Sequence, residues 1–392
     1  MLMPIHTETN ECQDCYKCVR GCPVKAIRIE NGSARVMYEH CLFCGHCVQV
    51  CPVGAKRVRF DTIRARQLLT LRPAVWFSLA PSWVSEFPGV SEGQIVQALR
   101  RLGFAGVSET ALGAEIVSQA AAGLMNEDQA RRIFISTACP AVVNYIEKFL
   151  PRLVPSLTAL ASPVIAHARL LRSLHGDNIG IVFASPCIAK KGEADALPGT
   201  LDIALTFREL ADWFTREHID PAALTPGEDD RFMPARAASG RLYPIDGGML
   251  AGIRSGTAVT DAAMMAFSGL SQIREVLSGL EDLPGTQPLF LELLACEGGC
   301  INGPQSVQKG AIARKRLTAI LAARAGGTAS APHAAAIPET DASLDYSSQA
   351  PEERQISDDE IRTAMRSIGK YGTKDELNCS GCGYDCCRDF AR

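Results

Sequence analysis

Sixteen cysteines carry most of the chemistry available to this 392-residue chain, and they fall into three sets. Eight lie between Cys12 and Cys51, four are scattered at Cys139, Cys187, Cys296 and Cys300, and four crowd between Cys379 and Cys387. The start MLMPIHTETNEC lacks the charged region, apolar stretch and small-residue cleavage site of a secretion signal, so a cytoplasmic location is expected. In that reducing compartment cysteines point away from disulfides and toward metal. No apolar run approaches the roughly 18 residues of a membrane span. The net charge of -3 lacks the basic excess of a nucleic-acid binder, so neither membrane nor nucleic acid is expected as a partner.

Cys12, Cys15, Cys18 and Cys22-Pro23 form the run CxxCxxCxxxCP, and Cys41, Cys44, Cys47 and Cys51-Pro52 repeat it. Val19/Val48, Val24/Val53, Ala26/Ala55 and Arg28/Arg57 repeat with it, which marks an internal duplication. Three closely spaced thiolates can hold three corners of a 4Fe-4S cubane, while the cysteine before proline lies too far along to close the same one. Cys12, Cys15, Cys18 and Cys51 are therefore assigned to one cluster, and Cys41, Cys44, Cys47 and Cys22 to the other. Zinc sites use four ligands in two pairs and lack the proline-terminated triple. The region resembles bacterial two-cluster ferredoxins, which pass electrons singly; His46 is read as a solvated residue between ligands.

The central cysteines need elements to bring them together. IFIS precedes Cys139, IGIVFA precedes Cys187 and LFLELLA precedes Cys296. Such runs read as buried parallel strands, and ligands collect beyond the carboxyl ends of those strands. The four thiolates can thus converge on one point, as a 4Fe-4S cluster or a structural zinc requires. AVWFSL and LDIALTF add two strands, and alternation with helical patterns indicates α/β layering. Ser91 with Gln94 predicts a capping box, with Ile95, Leu99 and Leu102 on one face and Gly103 ending the helix. ADALPGTLD, TPGEDDRF and SGRLYPIDGG read as loops.

STACPA, SPCIAKKGE and ACEGGCINGPQ resemble, in order and spacing, the three signatures of the diiron (iron-only) hydrogenases, and Ala80 to Ser82 resemble that family's pocket-lining stretch. The resemblance implies that Cys139, Cys187, Cys296 and Cys300 hold a 4Fe-4S cluster. It also implies that Cys300 bridges to a two-iron unit with carbonyl and cyanide ligands, the H-cluster, with Lys190 near the cyanides and Ser82 close by. The bland reading of Lys190 and Lys191 is a solvated pair. The implied fold is α/β. A bacterial-ferredoxin-like α+β domain (1–65) precedes a hydrogenase catalytic-type domain with parallel sheets in two lobes (66–325).

This chain departs from the catalytic members at several positions. Ala138 stands where they carry a proton-passing cysteine, and a methyl group cannot carry a proton. GAEIVSQAAAG has Gln119, Ala120 and Ala121 where their relay has acidic residues. Ser185 and Leu294 replace two methionines beside the active iron, and INGPQS is poorer in glycine. Proton relay by positioned groups is typically worth about two to four orders of magnitude in rate, so slow turnover is expected. An intact cradle without its relay resembles the sensory branch of the family.

Residues 326–356 lack periodicity and read as a linker or wrapping segment. In 357–392, Ser357 and Glu360 predict a capping box, Ile361, Met365 and Ile368 a helical face, and Gly369 or Gly372 its end. Cys379, Cys382 and Cys387 then give CxxCxxxxC, which resembles the start of a further 4Fe-4S motif. Its fourth ligand is expected from Cys386, an outside group or sequence beyond a truncated end, and zinc is the alternative there. The leading reading is a sensor that binds and slowly, reversibly oxidises dihydrogen. It would exchange protons and electrons, act through a redox or downstream signalling partner, depend on hydrogenase maturation proteins, and could form a homodimer. The alternatives are a catalytic ferredoxin-linked hydrogenase, or an iron-sulfur carrier or assembly protein without the two-iron unit.

Overall fold

The computed structural model describes residues 3–128, 131–254, 263–280, 288–325, 338–352 and 355–392. The chain divides into two compact units, one of Met1–Arg59 with Gln349–Arg392 and one of Phe60–Ser348. In the first, β1 (Ile5–Thr7) leads to α1 (Lys17–Gly21), the hairpin of β2 (Ile27–Glu30) and β3 (Ser33–Val36), α2 (His46–Val50) and β4 (Lys56–Val58). β1 pairs antiparallel with β4, and β2 with β3. The hairpin closes through Asn31 and Gly32, both at positive φ (50° and 72°), as a two-residue turn matched to strand twist requires.

In the second unit α3 (Thr62–Leu71), β5 (Val75–Leu79), α4 (Trp83–Glu86), α5 (Glu92–Arg101), β6 (Gly106–Glu109) and α6 (Thr110–Glu127) come first. They are followed by β7 (Ile133–Ile135), α7 (Pro140–Phe149), α8 (Pro163–His175), β8 (Gly180–Ser185), α9 (Ala189–Ala196), β9 (Ile203–Thr206) and α10 (Phe207–Arg216). The rest is α11 (Gly248–Arg254), β10 (Met264–Ser268), α12 (Leu270–Ser278), β11 (Leu289–Leu294) and α13 (Gly310–Ala325). Two parallel sheets result, in the orders β6-β5-β8-β9 and β10-β11-β7. The three strands that lead to cysteines are therefore shared between sheets: β8 belongs to one, β7 and β11 to the other.

All five expected apolar runs form strands. β6 and β10 had no such signal. GVSE is half polar, and pairing with Trp76–Leu79 makes it a buried strand. The Ser91–Gln94 capping box forms reciprocally (3.3 and 2.8 Å), Ile95 and Leu99 are buried, and Gly103 ends α5 at φ 105°. ADALPGTLD is only partly loop: α9 continues to Ala196 and stops ahead of Pro198 and left-handed Gly199.

Residues 326–337, the first part of the expected linker, lie outside the described residues. From 338 the chain lies along the second unit: Ala161 N donates to Ala342 O (2.6 Å), Leu344 N to Ala159 O (2.9 Å), and the Tyr346 hydroxyl to Leu160 O (2.8 Å). The first unit is completed by α14 (Asp358–Ser367) and α15 (Cys387–Ala391). Ser357 caps α14 as expected, and Ile361 and Met365 are buried. Ile368 does not share their face. It falls at the C-cap, past the last turn, and is 46% exposed.

Candidate functional site

The amino-terminal cysteines gather into two hollows that cross the sequence repeats. Cys12, Cys15, Cys18 and Cys51 line one of about 340 Å³; Cys22, Cys41, Cys44 and Cys47 line the other, about 320 Å³. The crossing arises locally. Each triple curls through left-handed residues, Asp14 and Tyr16 in one loop and Phe43 and Gly45 in the other, and then enters a five-residue helix that ends at the cysteine before proline. Burial pushes the Cys44 thiol up to about 12, with Cys41 and Cys22 adding to the rise. Burial also works to raise Cys12, but the N–H groups of Ala34 and Asp14, the Ser33 hydroxyl and the Lys56 charge hold it below its ordinary value. Crowded thiols that repel a second negative charge want a cation among them, and four thiolates around a small hollow suit a 4Fe-4S cube. His46 is exposed.

The central cysteines meet at a chamber of about 680 Å³. Cys139 reaches it from the turn between β7 and α7, Cys187 from the turn between β8 and α9, and Cys300 from the short helical turn after β11. Cys296, half-buried, is not among the residues lining the chamber. Burial pushes the Cys187 thiol up to about 11, reinforced by Cys139; burial raises Cys300 as well, with Cys139 and Cys187 adding their repulsion. Much of the rest of the lining is apolar and small, Ala80, Pro81, Ala111, Ala114, Ala138 and Val164 among it.

Ser82 and Ser185 line this chamber, and the Ser185 hydroxyl accepts from the Cys187 N–H at 3.2 Å. Lys190 lines it too, and its Nζ donates to Ser162 Oγ (2.8 Å) and Glu193 Oε2 (2.6 Å). The pair Lys190 and Lys191 is not solvated. Lys191 is wholly buried, with Nζ 2.8 Å from Asp61 Oδ2 and 2.8 Å from Glu209 Oε2, while Glu209 also accepts from the Thr206 backbone. This ion triad ties α9, which carries Lys190, to the starts of α3 and α10.

Several polar groups near the chamber had no motif to announce them. Tyr243 lines the wall, and its hydroxyl lies 2.8 Å from Ser118 Oγ on α6. Glu115, one turn earlier, accepts from the backbone of Gly240 at 3.2 Å. On β11, Glu292 is buried; Oε2 accepts from Leu250 N at 3.2 Å, and Oε1 has no hydrogen-bond partner among the described residues. Burial pushes its carboxyl up to about 7, with Asp246 adding repulsion. An acid inside LFLELLA was the available signal, since an apolar strand seldom tolerates one without a reason. His167 joins Ser78 and Ser108 at 2.8 Å each, and burial holds it near 3, so it is a neutral bridge.

The carboxyl-terminal cysteines form a loop with one buried member, Cys387, packed with Ile361 and Met365. Cys382 and Cys386 are half-buried, and Cys379 is exposed.

Residues 69–304 match the family described as iron only hydrogenase large subunit, C-terminal domain, and residues 4–52 match the 4Fe-4S dicluster domain. Over 290 residues the chain is 24% identical to the periplasmic Fe hydrogenase large subunit of Nitratidesulfovibrio vulgaris, a match covering 61% of this chain and 68% of that one. Over 281 residues it is 26% identical to iron hydrogenase 1 of Clostridium pasteurianum, covering 60% of this chain and 49% of the relative, so the match spans about half that protein's length. A variant of the FeFe-hydrogenase HydA1 from Chlamydomonas reinhardtii has the same fold, with a TM-score of 0.55 at 16% identity over 74% of this chain and 100% of that one. The family match takes in all three central cysteine motifs and more than half of the sequence, and the chain therefore belongs to the iron-only hydrogenase large-subunit family.

Proposed function

We propose that this chain is a dihydrogen-responsive hydrogenase of low turnover that reports on dihydrogen. The observation that carries the reading is Ala138: the chamber receives three thiols, yet the residue beside Cys139 presents a methyl group to it. The chamber suits an H-cluster. Three of the four cysteines line it together with many small apolar residues, and Lys190 is the one cation lining it among the described residues. When bound, that group would supply the binding and heterolytic splitting of dihydrogen, with two protons and two electrons as products.

The chain's own residues hold and tune it. Cys139, Cys187, Cys296 and Cys300 are the proposed thiolate ligands. Lys190, steadied by Ser162 and Glu193, presents a positive charge to anionic ligands. Ser185 offers a hydroxyl where a thioether would be softer and less polar, and would make the surroundings of the bound group more polar. Ala138 passes no proton. The ionised carboxyl of Glu292 is a group near the chamber that could accept one, and the Tyr243 hydroxyl, paired with Ser118, could only pass a proton on while giving up its own, by a slower route than a thiol at position 138. Electrons would leave singly by the two amino-terminal clusters to a redox or signalling partner. Sixteen free thiols suit a reducing cytoplasm, and maturation proteins would deliver the two-iron unit.

Infrared spectroscopy of protein matured with its two-iron unit tests the reading first. Carbonyl and cyanide stretches are expected to appear and to shift under dihydrogen. Their absence after competent maturation refutes it and favours an iron-sulfur carrier. Ala138→Cys should then raise dihydrogen oxidation, by at most about two to four orders of magnitude. Native turnover already equal to that of catalytic relatives would favour an ordinary hydrogenase.

A further inference from the structure

Residues 338–348 lie between α13 and α14 and follow a strand's rule in their middle: Ala342, Leu344 and Tyr346 turn inward, while Ser343 and Asp345 are exposed. They form an extra edge along 159–161. Leu160 and Ser343 make an antiparallel bridge, and Arg169 Nη1 clamps the strap from outside through Asp341 O (3.0 Å) and Ser343 O (2.6 Å). Ala342 is buried in the core beside β7 and β11, whereas Leu344 packs against the core of the four-stranded sheet. The strap thus touches both.

The segment it grips leads straight to the chamber. Ser162, next in the chain, receives Lys190 Nζ, and Pro163 and Val164 line the chamber. Leu160 O accepts twice, from Thr137 Oγ1 at 2.5 Å and from the Tyr346 hydroxyl at 2.8 Å. A carbonyl has two lone pairs, so this acceptor is full. Burial raises the Tyr346 phenol and the Glu193 carboxylate raises it further, with Thr137 opposing, so Glu193 lies within electrostatic reach of the same hydroxyl. Glu193 is itself held by Lys190, 2.6 Å away.

We propose that Tyr346 is a positioning residue whose hydroxyl has two rival acceptors, Leu160 O and Glu193, so that the strap's grip on 159–161 depends on how firmly Lys190 holds Glu193. With Lys190 on Glu193, the hydroxyl stays on Leu160 O and the strap is closed. When added negative charge in the chamber draws Lys190 away, the freed carboxylate takes the hydroxyl, because a charged acceptor outcompetes a carbonyl. The strap then loosens. Ser348 is followed by Gln349, where the chain passes to the other unit, so the strap is a covalent lead away from the chamber's surroundings. Its use as a signal rests on the sensory reading; the coupling of Lys190 to the strap does not.

Hydrogen exchange, read by mass spectrometry over 338–348 and 157–161 in the full-length protein reconstituted with iron and sulfide, tests the coupling without dihydrogen. Tyr346→Phe should speed exchange of the Leu344 and Ala161 amides about two- to tenfold, the range one net hydrogen bond is worth, with β5 and β8 unchanged as a control for folding. Lys190→Met should do the same in the native background and add nothing to Tyr346→Phe or to Glu193→Gln. A strap held by packing alone would show neither dependence. The inference is overturned if Tyr346→Phe or Lys190→Met exchanges at the native rate, or if Lys190→Met adds its full factor on top of Tyr346→Phe. Tyr346→Phe removes a single oxygen, so its result stands even where Lys190→Met is too unstable to measure. In protein matured with the two-iron unit, dihydrogen should then alter strap exchange in the native chain and not in Tyr346→Phe. A strap that answers to Lys190→Met but not to dihydrogen keeps the positioning role and counts against the sensory reading instead.

Discussion

Glu292→Gln offers a direct reading of the buried carboxyl beside the chamber. Glu292 titrates near 7, against an ordinary value of 4.5, chiefly because burial penalises its charged form. The folded protein therefore keeps this proton after the unfolded chain has released it. With the folded value raised, the unfolded state binds fewer protons between pH 4.5 and 7, so stability falls as pH rises through that window. A shift of about 2.5 units at 1.36 kcal/mol each amounts to about 3 kcal/mol, present in full below pH 4.5 and gone above pH 7. Glutamine keeps an acceptor for the Leu250 N–H and has no proton to lose. The stability difference, native minus Glu292→Gln, should accordingly drop by about 3 kcal/mol between pH 4.5 and 8. All three tryptophans, Trp76, Trp83 and Trp213, lie in Phe60–Ser348, so their fluorescence in denaturant titrations of metal-free, reduced protein follows that unit alone. A difference that stays flat across this range would refute the assignment of a proton to Glu292.

Other outcomes follow from packing and from the cysteine groupings. Cys51→Ser should remove the cluster of the first triple and Cys22→Ser that of the second, each seen as loss of about four irons with the other cluster's resonance signal intact. Lys191→Met leaves Glu209 buried without its cation and Asp61 with Arg64 but not Lys191, and the denaturant midpoint should report a loss of about 3–5 kcal/mol. In Gly113→Ala the new Cβ would lie 2.1 Å from Pro163 O and 2.6 Å from His167 Cβ. Forcing α6 from α8 should cost about 1–3 kcal/mol or more, read by the same fluorescence.

What the sequence disclosed was what its chemistry repeats over short distances. The crossed grouping of the amino-terminal cysteines was legible because a triple and its distant fourth member obey a spacing rule. The five apolar strands were legible because burial on both faces leaves continuous Val, Ile, Leu and Phe. The partition of those strands between two sheets was not, since it depends on pairing between segments such as Leu289–Leu291 and Ile133–Ile135, whose side chains read alike in any order. Tyr243, Ser118 and Lys191 were opaque for a related reason. Tyr243 and Ser118 meet across 125 residues, and Lys191 takes Asp61 from 130 residues away as well as Glu209 from 18, pairings that local sequence does not announce. Cys296 stands between these cases: its motif marks it clearly, yet it lies outside the chamber lining.

The nesting of one compact unit inside the sequence of the other has a consequence for biosynthesis. The unit begun at Met1–Arg59 is finished only by Gln349–Arg392, and the whole of Phe60–Ser348 is made in between. At about 5–20 residues per second, ribosomes would take on the order of tens of seconds to cross that interval. During that time the backbone of α1 at Arg20, which Gly383 approaches closely in the finished unit, lacks that neighbour. The eight amino-terminal cysteines are therefore made well before the segment that completes their unit, and that unit closes only after the whole of Phe60–Ser348 has been synthesised.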